Sequence, residues 1–212
     1  MKKSKAERFF TEEERERIKE ATRDTESGTI GEIAVMVVDS SDQYAEAEVI
    51  GGIMLGGLVS LITTVLFFHS SVWSYIPMSF LLFFPSLLLL RKVPSFKPAF
   101  IGKKRMQEAV RQRAVRAFFE KGLYKTKDNT GVLFFLSLLE RKVWVLADKG
   151  IHEKIEQKTL NRFAKTVSQV VKDGRSCDAL CGAIKETGLL LAGHFPIAPG
   201  DTNELSDDLI TE

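Results

Sequence analysis

Residues 127–131 read KDNTG and residues 147–150 read ADKG. Each stretch sets a carboxylate, Asp128 or Asp148, shortly before a glycine, and the first adds the amide of Asn129. A third acidic side chain, Glu32, follows a glycine at the start of an apolar run, GEIAVMVV. Carboxylates, an amide and backbone carbonyls freed by glycine are the oxygen ligands that a hard cation such as Ca²⁺ takes. The same stretches are also good turns, because Asp and Asn bond their own backbone and Gly accepts a positive φ. Spacing alone favours turn chemistry over a metal site.

Nucleophilic chemistry has less support. There is no G-x-S-x-G elbow and no phosphate loop, and the three histidines, His69, His152 and His194, lie apart. Only His152 falls near the acidic turns, where it reads as a solvated first-turn residue, or as an acid or base if it faced Asp148. No catalytic residue is therefore assigned. Cys177 and Cys181 lie four apart on a helical pattern, with no second ligand pair nearby, and read as small buried residues.

The elements that must position these residues are clear in outline. Thr11 and Glu14 form a capping box, which starts a helix running to about Thr25. Residues 32–40 form a β-rich apolar run suited to a strand buried on both faces. Residues 101–122 carry Met106, Ala109, Val110, Ala114, Ala117 and Phe118 on one helical side, with Gly122 as C-cap. Residues 131–139 and 142–148 follow as two strands, with Glu140-Arg141 as a tight turn. Ile151, Ile155, Leu160, Phe163, Val167 and Val171 give a helical stripe ending near Asp173 and Gly174, and residues 177–191 give a last helix. Strand, crossover helix and strand should pair in parallel, with the third strand antiparallel. The entries of strands one and two and the exit of strand three then converge, bringing Glu32, Asp128, Asn129 and Asp148 to one end.

At 212 residues and 44% hydrophobic the chain suits one ordinary domain, but its apolar residues are unevenly spread. Residues 49–68 carry no charge, and about 20 helical residues span a hydrocarbon core of about 30 Å. Residues 72–90 form a second uncharged run containing Pro77 and Pro85. The pair reads as a transmembrane hairpin inserted after the first strand. Residues 91–127 hold twelve basic and two acidic side chains, whereas the turn between the runs has no charge. That asymmetry places both termini in the cytoplasm, with two spans in the cell inner membrane. The basic block favours anionic lipid head groups, and its lack of interleaved aromatics argues against nucleic acid. Within the first span, Gly52 and Gly56 have the spacing that permits close helix approach, to the second span or to another membrane protein.

The stretches SGTIGEIAVMVV and KDNTGVLFFLSLLERKVWVLADKGI, with the later paired helices, resemble the TPM domain family, and GDTNELSDDLI resembles the ending of membrane-anchored bacterial members. The resemblance implies an α/β/α sandwich, a small mixed sheet covered by helices on both faces. It also implies an acidic apex associated with divalent metal, placing Glu32, Asp128, Asn129 and Asp148 in that role, although Lys149 sets a positive charge beside them. The expected layout is residues 1–48 for the first helix and strand, 49–91 for the hairpin, 92–194 for the rest of the domain and 195–212 as a disordered acidic tail. The expected function is a membrane-anchored accessory or partner-binding module with a Ca²⁺-capable apex, engaging the lipid bilayer and a membrane protein or a second copy. The alternative is a metal-dependent, acid-phosphatase-like phosphomonoester hydrolase, with Asp128 and Asp148 on the ion and His152 as acid.

Overall fold

A computed structural model describes residues 4–67, 71–172, 176–198 and 202–212. His69 and the helix stop expected at residues 173 and 174 lie outside the described residues, as does the side chain of Val171. The chain divides into two compact units, Met1–Ser41 with Gln107–Glu212, and Asp42–Met106.

The first unit is built on a four-stranded mixed sheet in the order β3-β2-β1-β4. Strand β1 (Glu32–Val38) runs parallel to β2 (Gly131–Ser137), and β3 (Lys142–Ala147) is antiparallel to β2. Both β1 and β2 are buried along their whole length, as their unbroken apolar sequences require of strands covered on two faces. One face packs Ile33, Val35, Phe134 and Val145 against Ile18 and Ala21 of α2 (Glu12–Glu26), Leu160 and Phe163 of α7 (Gln157–Lys172), and Leu180 and Ile184 of α8 (Ser176–His194). The other packs Ala34, Met36, Leu133 and Phe135 against Val110, Ala114 and Phe118 of α5 (Lys103–Glu120). Helix α2 opens with the reciprocal capping box of Thr11 and Glu14. A short helix α1 (Lys5–Phe9), with its own Ser4–Glu7 box, precedes it and buries Ala6.

Two elements differ from expectation. The β2–β3 connection is a four-residue turn over residues 138–141, with Arg141 at φ 50°. Glu-Arg lacks the residues that take positive φ at both central positions of a two-residue hairpin, so the longer turn forms with a single left-handed residue. Leu138 and Leu139 instead donate their N–H groups to the carbonyls of Val38 and Asp39.

The acidic ending, expected as a disordered tail, instead carries β4 (Ile210–Thr211), parallel to β1 with Met36 opposite Ile210 and Val37 opposite Thr211. Its charges find basic partners distant in sequence. Glu212 pairs with Arg113 and, at 2.9 Å, with Lys121; Asp208 pairs with Lys19 at 2.8 Å. Leu205 and Ile210 pack against one face of the core and Leu209 against the other.

In the second unit, α3 (Ala45–Phe67) and α4 (Val72–Lys92) are long and apolar enough to cross a membrane. They pair closely because α3 has no side chain where α4 presses on it: a Cβ at Gly56 would lie 3.0 Å from the Phe83 Cα, and one at Gly52 3.1 Å from the Phe83 ring. The two glycines thus serve contact within the hairpin. The opposite sides are apolar, with Met54, Leu58, Leu61, Leu66, Phe80 and Phe84 each more than half exposed. At the hairpin base Glu48 bonds Arg91 and the buried Lys97, both at 2.8 Å, and Arg105 pairs with Asp42 at 2.5 Å.

Candidate functional site

The entries of β1 and β2 and the exit of β3 meet at one end of the sheet, as the strand directions demand. The approach to β2 passes Gly122, left-handed at φ 79°, and a 3-10 turn over Leu123–Lys125. Thr126 then organises the KDNTG turn: its carbonyl accepts from the Asn129 N–H at 3.1 Å and its hydroxyl from the Thr130 N–H at 3.0 Å. Asn129 takes φ 55°, a conformation its short polar side chain tolerates. Asp128 is exposed.

Asp148 caps α6 (Lys149–His152), its Oδ1 accepting from the Lys149 N–H at 2.7 Å. Its N–H bonds the Gly131 carbonyl at 2.9 Å, which ties the end of β3 to the start of β2. The other carboxylate oxygen, Oδ2, is buried and has no hydrogen-bond partner among the described residues. Beside it Gly150 meets the KDNTG turn: a Cβ there would sit 2.7 Å from the carbonyl oxygens of both Asp128 and Asn129. Glycine is required by this close approach. Asp148, Asp128 and Asn129 are therefore drawn together, the last two through main-chain oxygens.

Glu32, 5% exposed, is engaged elsewhere. Its two carboxylate oxygens accept from the N–H groups of Glu204 and Leu205, at 3.2 and 3.3 Å. Glu204 in turn accepts from the Lys127 N–H at 3.0 Å. The C-terminal segment thus closes over the apex.

Sequence reasoning missed Glu26, the last residue of α2, which reads as part of a charged, solvated helix. Its Oε1 accepts from the Ile33 N–H at 2.7 Å, while its Oε2 is buried without a partner among the described residues. Burial, with the carboxylates of Glu32 and Asp207 nearby, pushes this carboxyl up to about 9. The one signal in the sequence is that Glu26 lies six residues before Glu32, across a turn short enough to fold one back on the other.

Among the described residues no three His, Cys, Asp or Glu side chains gather closely enough to hold a metal ion. Softer transition metals, which take nitrogen and sulfur ligands, have no centre there. Two features bear on a hard cation: an orphaned buried carboxylate oxygen on Asp148, and two main-chain carbonyls packed against Gly150, two residues further along. His152 is exposed on α6, its N–H bonded to the Asp148 carbonyl at 3.1 Å. Cys177 and Cys181 are buried free thiols, and burial pushes Cys177 up to about 12, so neither is poised as a nucleophile.

A family model of the TPM domain, labelled TPM phosphatase, matches residues 98–188. The NMR structure of the BA42 protein from the psychrophilic bacterium Bizionia argentinensis superposes with a TM-score of 0.61 at 20% identity, covering 96% of each chain. That likeness is one of fold. No curated protein matches the chain.

Proposed function

We propose that this TPM domain protein is a membrane-anchored accessory module whose sheet apex takes a divalent cation of the Ca²⁺ class. The observation that carries the anchoring is the α3–α4 hairpin, closely packed on its inner side through Gly52 and Gly56 and broadly apolar on its exterior. Exposed to water, such an exterior is costly; in lipid it is solvated. A hairpin that crosses twice would return the segments before α3 and after α4 to one side, and the basic flank at Arg91 and Lys92 supports reading that side as the cytoplasm and the membrane as the inner one.

At the apex, Asp148 and the carbonyls of Asp128 and Asn129 would hold the ion, with Glu32 as the further carboxylate. A bound Ca²⁺ would supply a fixed positive charge that ties the entry of β2 to the exit of β3. Asp148 holds its oxygen ready by anchoring its backbone to Gly131 and its other oxygen to Lys149, so little ordering remains to be done on binding. Recognition of a membrane-protein partner, or of a second copy, would use the surface so fixed.

The phosphatase label of the family supports a second reading, metal-assisted hydrolysis of phosphomonoesters. The exposed setting of His152 makes it a weakly held acid, which is why the accessory role is preferred. Alkaline carbonate extraction of membranes expressing the full chain, with reporter fusions at each terminus, tests the anchoring. Retention in the pellet with cytosolic reporter activity is expected; release to the supernatant, or an external C-terminal reporter, contradicts it. Turnover of a phosphomonoester that needs Ca²⁺ or Mg²⁺ and disappears in Asp148→Asn would favour the enzyme instead.

A further inference from the structure

We propose that the base of the α3–α4 hairpin is a contact for anionic phospholipid, in which Lys92, Lys103 and Lys104 take lipid phosphate groups and Phe96 enters the same leaflet. This inference rests on the membrane-anchored reading and names the lipid chemistry that this end of the hairpin selects.

The charges of the second unit carry the argument. Residues 42–106 hold three carboxylates, Asp42, Glu46 and Glu48, and six basic side chains. All three carboxylates are engaged within the unit. Glu48 bonds Arg91 and Lys97, both at 2.8 Å, while Asp42 and Glu46 both pair with Arg105, at 2.5 and 3.1 Å. The excess of three positive charges therefore rests on Lys92, Lys103 and Lys104, which are exposed and have no ion pair among the described residues. Lysine carries its charge as a compact ammonium on a flexible stem, which suits a phosphate that moves in the plane of a bilayer.

The segment after α4 shows the level at which these charges stand. A 3-10 helix over Pro94–Phe100 is held against the hairpin at two points. A Cβ at Gly51 would lie 2.9 Å from the Phe100 ring and 2.6 Å from the Leu90 side chain, so α3 is bare where Phe100 packs. The buried Lys97 donates to the Gln43 carbonyl at 2.8 Å as well as to Glu48. Gly51 lies about 4.5 Å along the helix from Glu48, the last charge before the uncharged run. The 3-10 helix is thus pinned where charge gives way to hydrocarbon, which is the head-group boundary of a spanning hairpin.

On the outer side of this helix Phe96 is 54% exposed, and Pro94 and Ala99 are exposed with it. Water gives such a ring nothing, whereas the boundary between head groups and acyl chains solvates it. Neutral lipid would cover Phe96 equally well but leave the three lysines without counter-charge. Anionic lipid answers both features at once, and its phosphates already stand at this level.

The test reconstitutes the full chain in phosphatidylcholine vesicles. Electron spin resonance then measures the fraction of spin-labelled phosphatidylglycerol, or of spin-labelled phosphatidylcholine, immobilised on the protein. Wild type should prefer phosphatidylglycerol by about five-fold, the effect of one lysine at an anionic surface, and the preference should shrink toward unity in molar salt. Lys92→Gln, Lys103→Gln and Lys104→Gln combined should remove it. Lys154→Gln, Lys158→Gln and Lys165→Gln combined, which take equal charge from exposed positions of the first unit, should not. A fluorophore attached to Phe96→Cys should be quenched by a lipid spin-labelled near its head group and shielded from aqueous iodide; the native Cys177 and Cys181 are buried. Equal retention of the two lipids by wild type overturns the proposal while leaving the anchoring standing, as does equal loss in the two triple variants or quenching at position 96 by iodide alone. Should the first triple variant fail to insert, the salt titration of wild type decides. A chain that does not float with the vesicles overturns the anchoring and this contact with it.

Discussion

Glu32 and Asp148 occupy one row across the sheet, separated by Gly131, and their side chains leave the same face. The register sets Glu32 opposite Gly131, and the Asp148 N–H bonds the Gly131 carbonyl at 2.9 Å. Strand alternation then puts both carboxylates on the face that carries Ala34, Met36, Leu133 and Leu146. Two inter-strand steps separate their backbones, about 10 Å. Between them Gly131 admits the Leu123 carbonyl, which would lie 2.5 Å from any Cβ placed there. This end of the sheet is therefore lined with oxygen and with glycine for a single packing reason: the turns before β2 and after β3 must pass close over the strand ends.

Gly150→Ala tests that packing. The new methyl would meet two main-chain carbonyls at 2.7 Å, and backbone cannot yield as a flexible side chain can. A destabilisation of about 1–3 kcal/mol is expected, read by denaturant unfolding of the full chain in detergent. Gly28→Ala is the control, since its nearest neighbour would be 3.8 Å away; equal losses at the two positions contradict the close approach.

Gly56→Leu tests the hairpin. Gly56 presses on the main chain of Phe83, whereas a Cβ on the adjacent Gly57 would meet only the Tyr75 hydroxyl, at 3.5 Å. Leucine at 56 should lower the melting temperature of the detergent-solubilised protein well below that of Gly57→Leu. Similar melting of the two variants would show that α3 and α4 do not depend on this contact.

Glu26 gives a pH dependence of definite sign. Its carboxyl is raised from 4.5 to about 9, first by burial and then by Glu32 and Asp207, so the folded state holds a proton that the unfolded chain releases. Its contribution to stability is complete below the unfolded value of 4.5 and is lost as pH rises through about 9. Glu26→Gln keeps an acceptor for the Ile33 N–H and removes the titration. The melting temperature of the variant should fall less steeply than that of wild type between pH 5 and pH 9; parallel curves would mean that Glu26 ionises like an exposed carboxylate.

Much of this arrangement is legible in sequence because it rests on local patterns. The unbroken apolar runs at Ile33 to Val38 and Val132 to Leu136 mark strands covered on both faces, and their order with the intervening helix is enough to bring Asp128, Asn129 and Asp148 together. The two uncharged runs mark the hairpin, and Gly52 and Gly56 its packing line. What escaped depends on partners far away in the chain. Residues 202–212 look disordered because they are acidic and have little apolar content, yet Arg113, Lys121 and Lys19 neutralise them from positions about 90 to 190 residues earlier. Glu26 looks like one more charge on a solvated helix, until Asp207 and the start of β1 come up against it. The engagement of Glu32 by the main chain of Glu204 and Leu205 leaves no mark on side-chain composition at all.

The most direct test of the cation-bearing apex is a thermal melt of the full chain, chelated and then with Ca²⁺, for wild type and Asp148→Asn. Asparagine retains an oxygen for the Lys149 N–H and removes the charge of the orphaned Oδ2. A ligand that binds only the folded state raises stability by about 2.7 kcal/mol at a hundred times its dissociation constant. Wild type should therefore gain a concentration-dependent shift that Asp148→Asn largely loses, while the chelated proteins melt at nearly the same temperature. No shift of wild type at millimolar Ca²⁺, together with a small loss from Asp148→Asn that metal does not change, would contradict the account and leave Asp148 as a helix cap alone.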